Sequence, residues 1–224
     1  DCYWFYRTEL RVDQRPGLEP VLKLTRLDYR YSVFLGDSLV ADGEGLYTPV
    51  CLDMRPYQNT TVLLTVVLHP VPKRPGVPEG RAEASLSCIP PVSYGWDWHP
   101  RLIPIGICGD VELQYLPPSR IEAVDVTYDI TDDMELVQGT ISVHVRQPKG
   151  LVSLRLLDAE GRCVFQQTAR AAEDTRLPLH LEHPRLWWCH NQGEPHLYTL
   201  CVSLEEEGRM LNSCSHRTGF RRIR

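Results

Sequence analysis

No apolar run in this chain approaches the roughly 18 residues that a membrane-spanning helix needs, so no membrane partner is expected. No basic stripe is present either. The formal charge is −5 and the one dense basic run, Arg217 to Arg224, is broken by Gly219, Phe220 and Ile223, so nucleic acid is not an expected partner. None of the eight cysteines forms a C-x-x-C pair, which removes the usual structural zinc spacing. There is no G-x-S-x-G elbow and no phosphate-cradling glycine loop. Helical periodicity is scarce. These absences leave no cofactor and no metal to expect.

What is present is a globular composition, 42% hydrophobic and 24% charged over 224 residues, enough for one large domain or two ordinary ones. Most cysteines lie in apolar strand-like runs such as "LYTLCVSL". They are expected to act as small buried hydrophobes, free thiols in a reducing, cytoplasmic setting, although an even count leaves disulfides open. The sequon at Asn59 is expected to be a polar turn before a strand.

Period-two patterning dominates. "YWFYRTEL", "PVLKLTRL", "YSVFLGDSLVADGEG", "TTVLLTVVLHP" and "GICGDVELQYL" predict strands separated by Pro, Gly and Asp clusters. "LGDSLV" predicts a hairpin in which Gly36 supplies a positive φ. The stretch from Pro70 to Pro104 is rich in proline and predicts a long connection rather than a central strand. "LPPSR" at Leu116 to Arg120 is the best boundary, giving domains 1–116 and 117–224. In the second, "IEAVDVTYDI", "GTISVHVRQ", "LVSLRLLDAEG", "RCVFQQTA", "TRLPLHLEH" and "HLYTLCVSLEEEG" predict short strands of an immunoglobulin-like sandwich.

Inside the proline-rich connection lies "SYGWDWHPRLIP", from Ser93 to Pro104, with Asp97 between Trp96 and Trp98. In an extended backbone side chains alternate faces. The two rings would then point one way and pack, while the acid points the other way into a cavity. The reverse would bury a carboxylate at higher cost. A presented carboxylate can accept from two neighbouring hydroxyls, and aromatic faces cover the apolar side of a pyranose. The bland alternative is rings that seal a core edge and an Asp that caps a turn.

The segments "YWFYRTEL", "LDYRYSVFLGDSLVADGEGLYTPVCLDM" and "SYGWDWHPRLIPIGICGDVELQYL" together resemble the N-terminal sugar-binding domain of glycoside hydrolase family 2, and S-x-G-W-D-W-x-P-R looks most like its β-mannosidase branch. "HPRLWWCHNQGEPHLYTLCVSL" and "RTGFRRIR" resemble the immunoglobulin-like domain that follows it. The resemblance implies an all-β chain: a jelly-roll-like sandwich, truncated at its N-terminus, then an immunoglobulin-like sandwich. It implies as partners a catalytic (β/α) barrel of the same polypeptide, absent here, and a carbohydrate substrate. It also implies that Asp97, framed by Trp96 and Trp98, holds the sugar from a loop reaching over the barrel. His99 departs from the small residue expected at its position. The family's acid/base glutamate follows an asparagine, whereas Asn59, Asn191 and Asn212 precede Thr, Gln and Ser, so no catalytic residue is assigned and the chain alone is expected to be inactive. One pocket wall gives too few contacts, so on this reading the chain alone is expected to show no measurable binding of mannose or short mannosides.

Among other candidates, His180, His183, His190 and His196 crowd one region without paired zinc spacing, and Trp187 and Trp188 are expected to pack in a core or between domains. Two alternatives stay open beside an accessory part of an exo-glycosidase acting on β-mannosides or β-galactosides. One is a free-standing carbohydrate-binding protein and the other a purely structural sandwich pair. Self-association into a homo-oligomer also stays open.

Overall fold

The computed structural model describes residues 2–73 and 75–223. The chain splits into two compact units, Asp1–Leu116 and Pro117–Arg224. Strands dominate both, and the only helical elements among the described residues are short 3₁₀ turns.

The first unit holds β1 (Trp4–Val12), β2 (Glu19–Leu24), β3 (Leu27–Asp28), β4 (Arg30–Leu35), β5 (Ser38–Glu44), β6 (Val50–Asp53), β7 (Thr60–His69), β8 (Gly106–Ile107) and β9 (Val111–Leu116). They form a four-stranded sheet in the order β1-β7-β4-β5, a three-stranded sheet β6-β2-β9 and a short β3-β8 pair. All pairings are antiparallel. Alternation sends Val33 and Leu35 of β4, and Val62, Leu64, Val66 and Leu68 of β7, onto Leu22 and Leu24 of β2, which makes a jelly-roll-like sandwich core. Burial of each such side chain stabilises by about 1.5–3 kcal/mol. The β4–β5 hairpin turns at Gly36, whose φ of 59° is the left-handed conformation a glycine adopts without strain.

β7 lies between β1 and β4 and reads as an almost continuous apolar run. Its outward-facing Thr65 and Val67 are nearly as buried as its core-facing residues. The neighbouring outward side chains of β1 and β4 shelter them.

The second unit is an immunoglobulin-like sandwich of β10 (Arg120–Ile130), β11 (Leu136–Arg146), β12 (Leu151–Leu157), β13 (Cys163–Arg170), β14 (Asp174–Glu182), β15 (Tyr198–Glu206) and β16 (Arg209–Thr218). The sheets run β10-β11-β14 and β13-β12-β15-β16. β14 alternates strictly, with Thr175, Leu177, Leu179 and Leu181 inward. Its Pro178 faces outward and is tolerated because β14 pairs on one side only, with β11. Tyr198 is buried at the start of β15, and its hydroxyl accepts the Arg185 backbone N–H at 2.8 Å, which ties the preceding segment to the core. Burial pushes the Tyr198 phenol above its ordinary range.

One expectation needs correction, and one strand escapes the sequence reading. The cysteines are not small buried hydrophobes: Cys2, Cys51, Cys88, Cys108, Cys163 and Cys189 are exposed, and only Cys201 and Cys214 are half-buried. They fall at strand ends, in connections, or on the outward face, where an apolar neighbourhood in sequence does not become one in space. β16 also lies in a stretch, "RMLNSCSHRT", that carries too few apolar residues to be read as a strand. It is an edge strand paired with β15, and only Leu211 and Cys214 pack on the core.

Candidate functional site

The connection from 70 to 104 is ordered by a small core of its own. Tyr94, Ile89, Val71 and Tyr29 are buried together, with Ala84, Ile103 and Ile105 against them. The Tyr94 and Ser87 hydroxyls bond at 2.7 Å. Two 3₁₀ turns, Arg81–Leu86 and Pro91–Tyr94, carry the chain across this core. Glu83 ties the two flanks together. Its carboxylate accepts the Gly80 backbone N–H at 3.0 Å and the Arg101 Nε–H at 3.2 Å, and its side chain is 3% exposed. The Gly80 N–H first, and then the Arg101 guanidinium, hold the Glu83 carboxyl below its ordinary range against the opposing effect of burial.

Gly95, at φ 115°, turns the chain out of the second 3₁₀ turn in a conformation that an L side chain rarely adopts. A tight hairpin follows. Trp96 N–H donates to the His99 carbonyl at 2.8 Å and His99 N–H donates back to the Trp96 carbonyl at 3.1 Å, which leaves Asp97 and Trp98 as the two corner residues. The Asp97 side chain is 83% exposed. Its Oδ1 accepts from Arg81 Nη2 at 2.9 Å, and Arg81 Nε donates to the Gly95 carbonyl at 3.2 Å. The same guanidinium lies 3.5 Å from the centre of the Trp96 ring. One side chain thus stacks on the ring, holds the backbone before it and engages the acid after it.

Asp97 is therefore presented, but its frame differs from the one expected. Trp98 is 78% exposed and Trp96 is 39% exposed, with the rings edge to face at 5.9 Å. The reciprocal Trp96–His99 bonds curl the backbone, so extended-strand alternation does not apply. Neither ring is packed into a core; what covers Trp96 is Arg81. His99 turns its ring toward its own backbone, with Nδ1 2.6 Å from the Pro100 carbonyl. A carbonyl only accepts, so Nδ1 carries the proton.

Arg81 and the Glu83–Arg101 pair escape a reading of the sequence alone. The only local signal is Gly80 with an acid three positions on, the pattern of a turn start closed by a glutamate. Nothing in the sequence links Arg81 to a ring fifteen positions later.

The other candidates separate in space. Among the described residues no group of three or more His, Cys, Asp or Glu side chains is placed to hold a metal ion. His183 bonds Glu135, and this hydrogen bond raises the His183 pKa. His180 faces Glu182, while His196 is buried edge-on against Tyr198. Trp187 is half-buried: its backbone N–H donates to the Phe220 carbonyl at 2.8 Å, and Gly219 leaves room for its Cβ. Trp188 is exposed over Gly193.

Comparison with known proteins agrees with this architecture. Residues 119–221, within the second unit, match the model for glycosyl hydrolases family 2. The chain is 27% identical over 132 residues to β-mannosidase B of Aspergillus flavus, a match covering 57% of this chain and 16% of that protein. It is 30% identical over 121 residues to a putative β-glucuronidase of Formosa agariphila, covering 52% and 14%. Among solved structures, an FMN-binding β-glucuronidase from Faecalibacterium prausnitzii superposes with a TM-score of 0.71 at 15% identity over 97% of this chain and 32% of that one. A putative β-galactosidase from Bacteroides fragilis gives 0.71 at 16% identity over 96% and 32%. The chain thus spans about a sixth of the length of the curated relatives and a third of the solved ones. It is similar to the N-terminal, β-mannosidase-like part of a family 2 glycosyl hydrolase.

Proposed function

We propose that this chain is the non-catalytic N-terminal part of a retaining exo-glycosidase that removes terminal β-linked sugars, β-mannosides first and β-galactosides as the alternative. In that arrangement a (β/α) barrel of the same polypeptide supplies the two glutamates of the retaining mechanism, one acid/base and one nucleophile. The sandwiches support the barrel, and the Trp96–Asp97–Trp98 hairpin forms one wall of its sugar pocket.

The observation that carries this is the clamped, outward-facing Asp97. Arg81 binds Oδ1 and stacks on Trp96, which clamps the carboxylate while its side chain stays 83% exposed. Oδ2 can accept from sugar hydroxyls, and charge-assisted bonds of this kind are worth about 1.5–3 kcal/mol each. An exposed Trp98 beside it suits the C–H face of a pyranose. The hairpin positions a ring; it does no bond chemistry.

The test is kinetic, in the full-length enzyme. Asp97→Ala is expected to lower kcat/KM on an aryl β-mannoside by about 10- to 100-fold, with Asp97→Asn keeping part of the activity. Kinetics equal to wild type for both variants remove Asp97 from the site.

A further inference from the structure

We propose a second carbohydrate site on the outer face of the β1-β7-β4-β5 sheet, away from the Asp97 hairpin and independent of it, that takes a neutral pyranoside of one or two rings.

The register lays this face out in rows. Phe5 stands opposite Val67, and Val67 opposite Ser32; Arg7 stands opposite Thr65, and Thr65 opposite Phe34. Small residues thus form the floor and aromatic rings the sides. The result is an open groove of about 590 Å³, lined also by Tyr3, Asp37 and His69, within the ~300–1,000 Å³ of small-molecule sites. Phe5 is 64% exposed, while Thr65 and Ser32 beneath it are buried. A wet, exposed ring above buried hydroxyls is the opposite of ordinary surface patterning.

The polar groups are already oriented. Ser32 Oγ lies 2.6 Å from the Asp42 carboxylate and 2.8 Å from His69 Nε2. A carboxylate only accepts, so the Ser32 hydroxyl donates to Asp42 and must accept from His69 Nε2–H. That places a proton on His69 Nε2. Arg7 Nε donates to the Thr65 hydroxyl at 3.3 Å, which leaves the Thr65 hydrogen to donate.

These features select the ligand class. Arg7 and Asp37 put one charge of each sign on the lining, which favours a neutral molecule over an anion or a cation. Donors and acceptors lie between aromatic faces, matching a ring that has hydroxyls on its rim and C–H groups on its face. An apolar partner or a second copy of the chain would strip water from the charged Arg7 and Asp37 on the lining without replacing those bonds.

The test titrates this chain with methyl β-mannopyranoside, methyl β-glucopyranoside and their β-1,4-linked disaccharides, followed by NMR shifts and calorimetry. Saturable binding in the millimolar range or tighter is expected for at least one probe. Phe5→Ala, at a site exposed enough to leave folding intact, is expected to weaken it about tenfold. Thr65→Val is expected to weaken it further still. Asp97→Ala is expected to leave it within about twofold, which separates this site from the hairpin whatever the role of Asp97 in catalysis. Three results overturn the proposal: no saturable response with any probe into the tens of millimolar, binding lost with Asp97→Ala but kept with Phe5→Ala, or a dimer by sedimentation that Phe5→Ala dissolves.

Discussion

The two tryptophan pairs of this chain are built in opposite ways. Trp187 is half-buried and held through its backbone by Phe220, beside a glycine that leaves it room, with its neighbour Trp188 lying over Gly193. Trp96 and Trp98 stand at the end of a hairpin that exposes both, and the one side chain stacked on Trp96 is a cation, Arg81. Residue type does not distinguish the pairs. The difference is what the backbone offers beside them: glycines set close against the rings in one case, a tight turn in the other. A large ring left in water at a structured turn is poor value for stability, and that contrast marks Trp96 and Trp98 as the pair to test for contact with a ligand.

The sharpest challenge to the contrast is a pair of truncations in the isolated chain. Trp187→Ala is expected to lower stability by about 2 kcal/mol in urea unfolding, and Trp98→Ala by less than about 0.5 kcal/mol. Similar losses would mean that the hairpin is a packing element after all. Next in size is Glu83, which ties the flanks of the hairpin connection. Glu83→Gln is expected to cost about 1–2 kcal/mol at neutral pH. Because the folded carboxyl is held below its ordinary value of 4.5, this contribution is complete above that value and is lost as pH falls through the lower, folded one. The gap between wild type and variant should therefore close in acid, and a gap that persists there would assign the cost to shape and not to charge. A smaller effect than at Glu83 is expected at Arg81. Arg81→Ala is expected to change global stability by no more than about 1 kcal/mol, since its ion pair and stacking are both at the surface. Amide exchange at residues 95–99 should nevertheless quicken severalfold. Unchanged exchange would show that the reciprocal Trp96–His99 bonds hold the hairpin without the clamp.

Much of the fold was legible because period-two alternation and turn residues act locally. The strand at "TRLPLHLEH" and the turn at Gly36 depend only on neighbours in sequence. β16 was not legible, because an edge strand needs little apolar surface and its pairing is dictated by β15. At the candidate site, the presentation of Asp97 followed from the cost of burying an acid. The packing of the rings did not, because a two-residue hairpin breaks the alternation on which that expectation rested. Arg81 and the aromatic rows over Thr65 were out of reach for another reason: each is made by residues that meet only after the chain has folded, fifteen positions apart in one case and on three separate strands in the other.

The uneven setting of the thiols has a practical consequence. Six of the eight lie open to solvent with no sulfur partner in the described structure, while Cys214 is half-sheltered and burial pushes its thiol up. Alkylating reagents should therefore tag this protein in stages, with Cys214 among the last to react. In air, preparations without a reductant should tangle into covalent multimers through their surfaces while each sandwich stays intact.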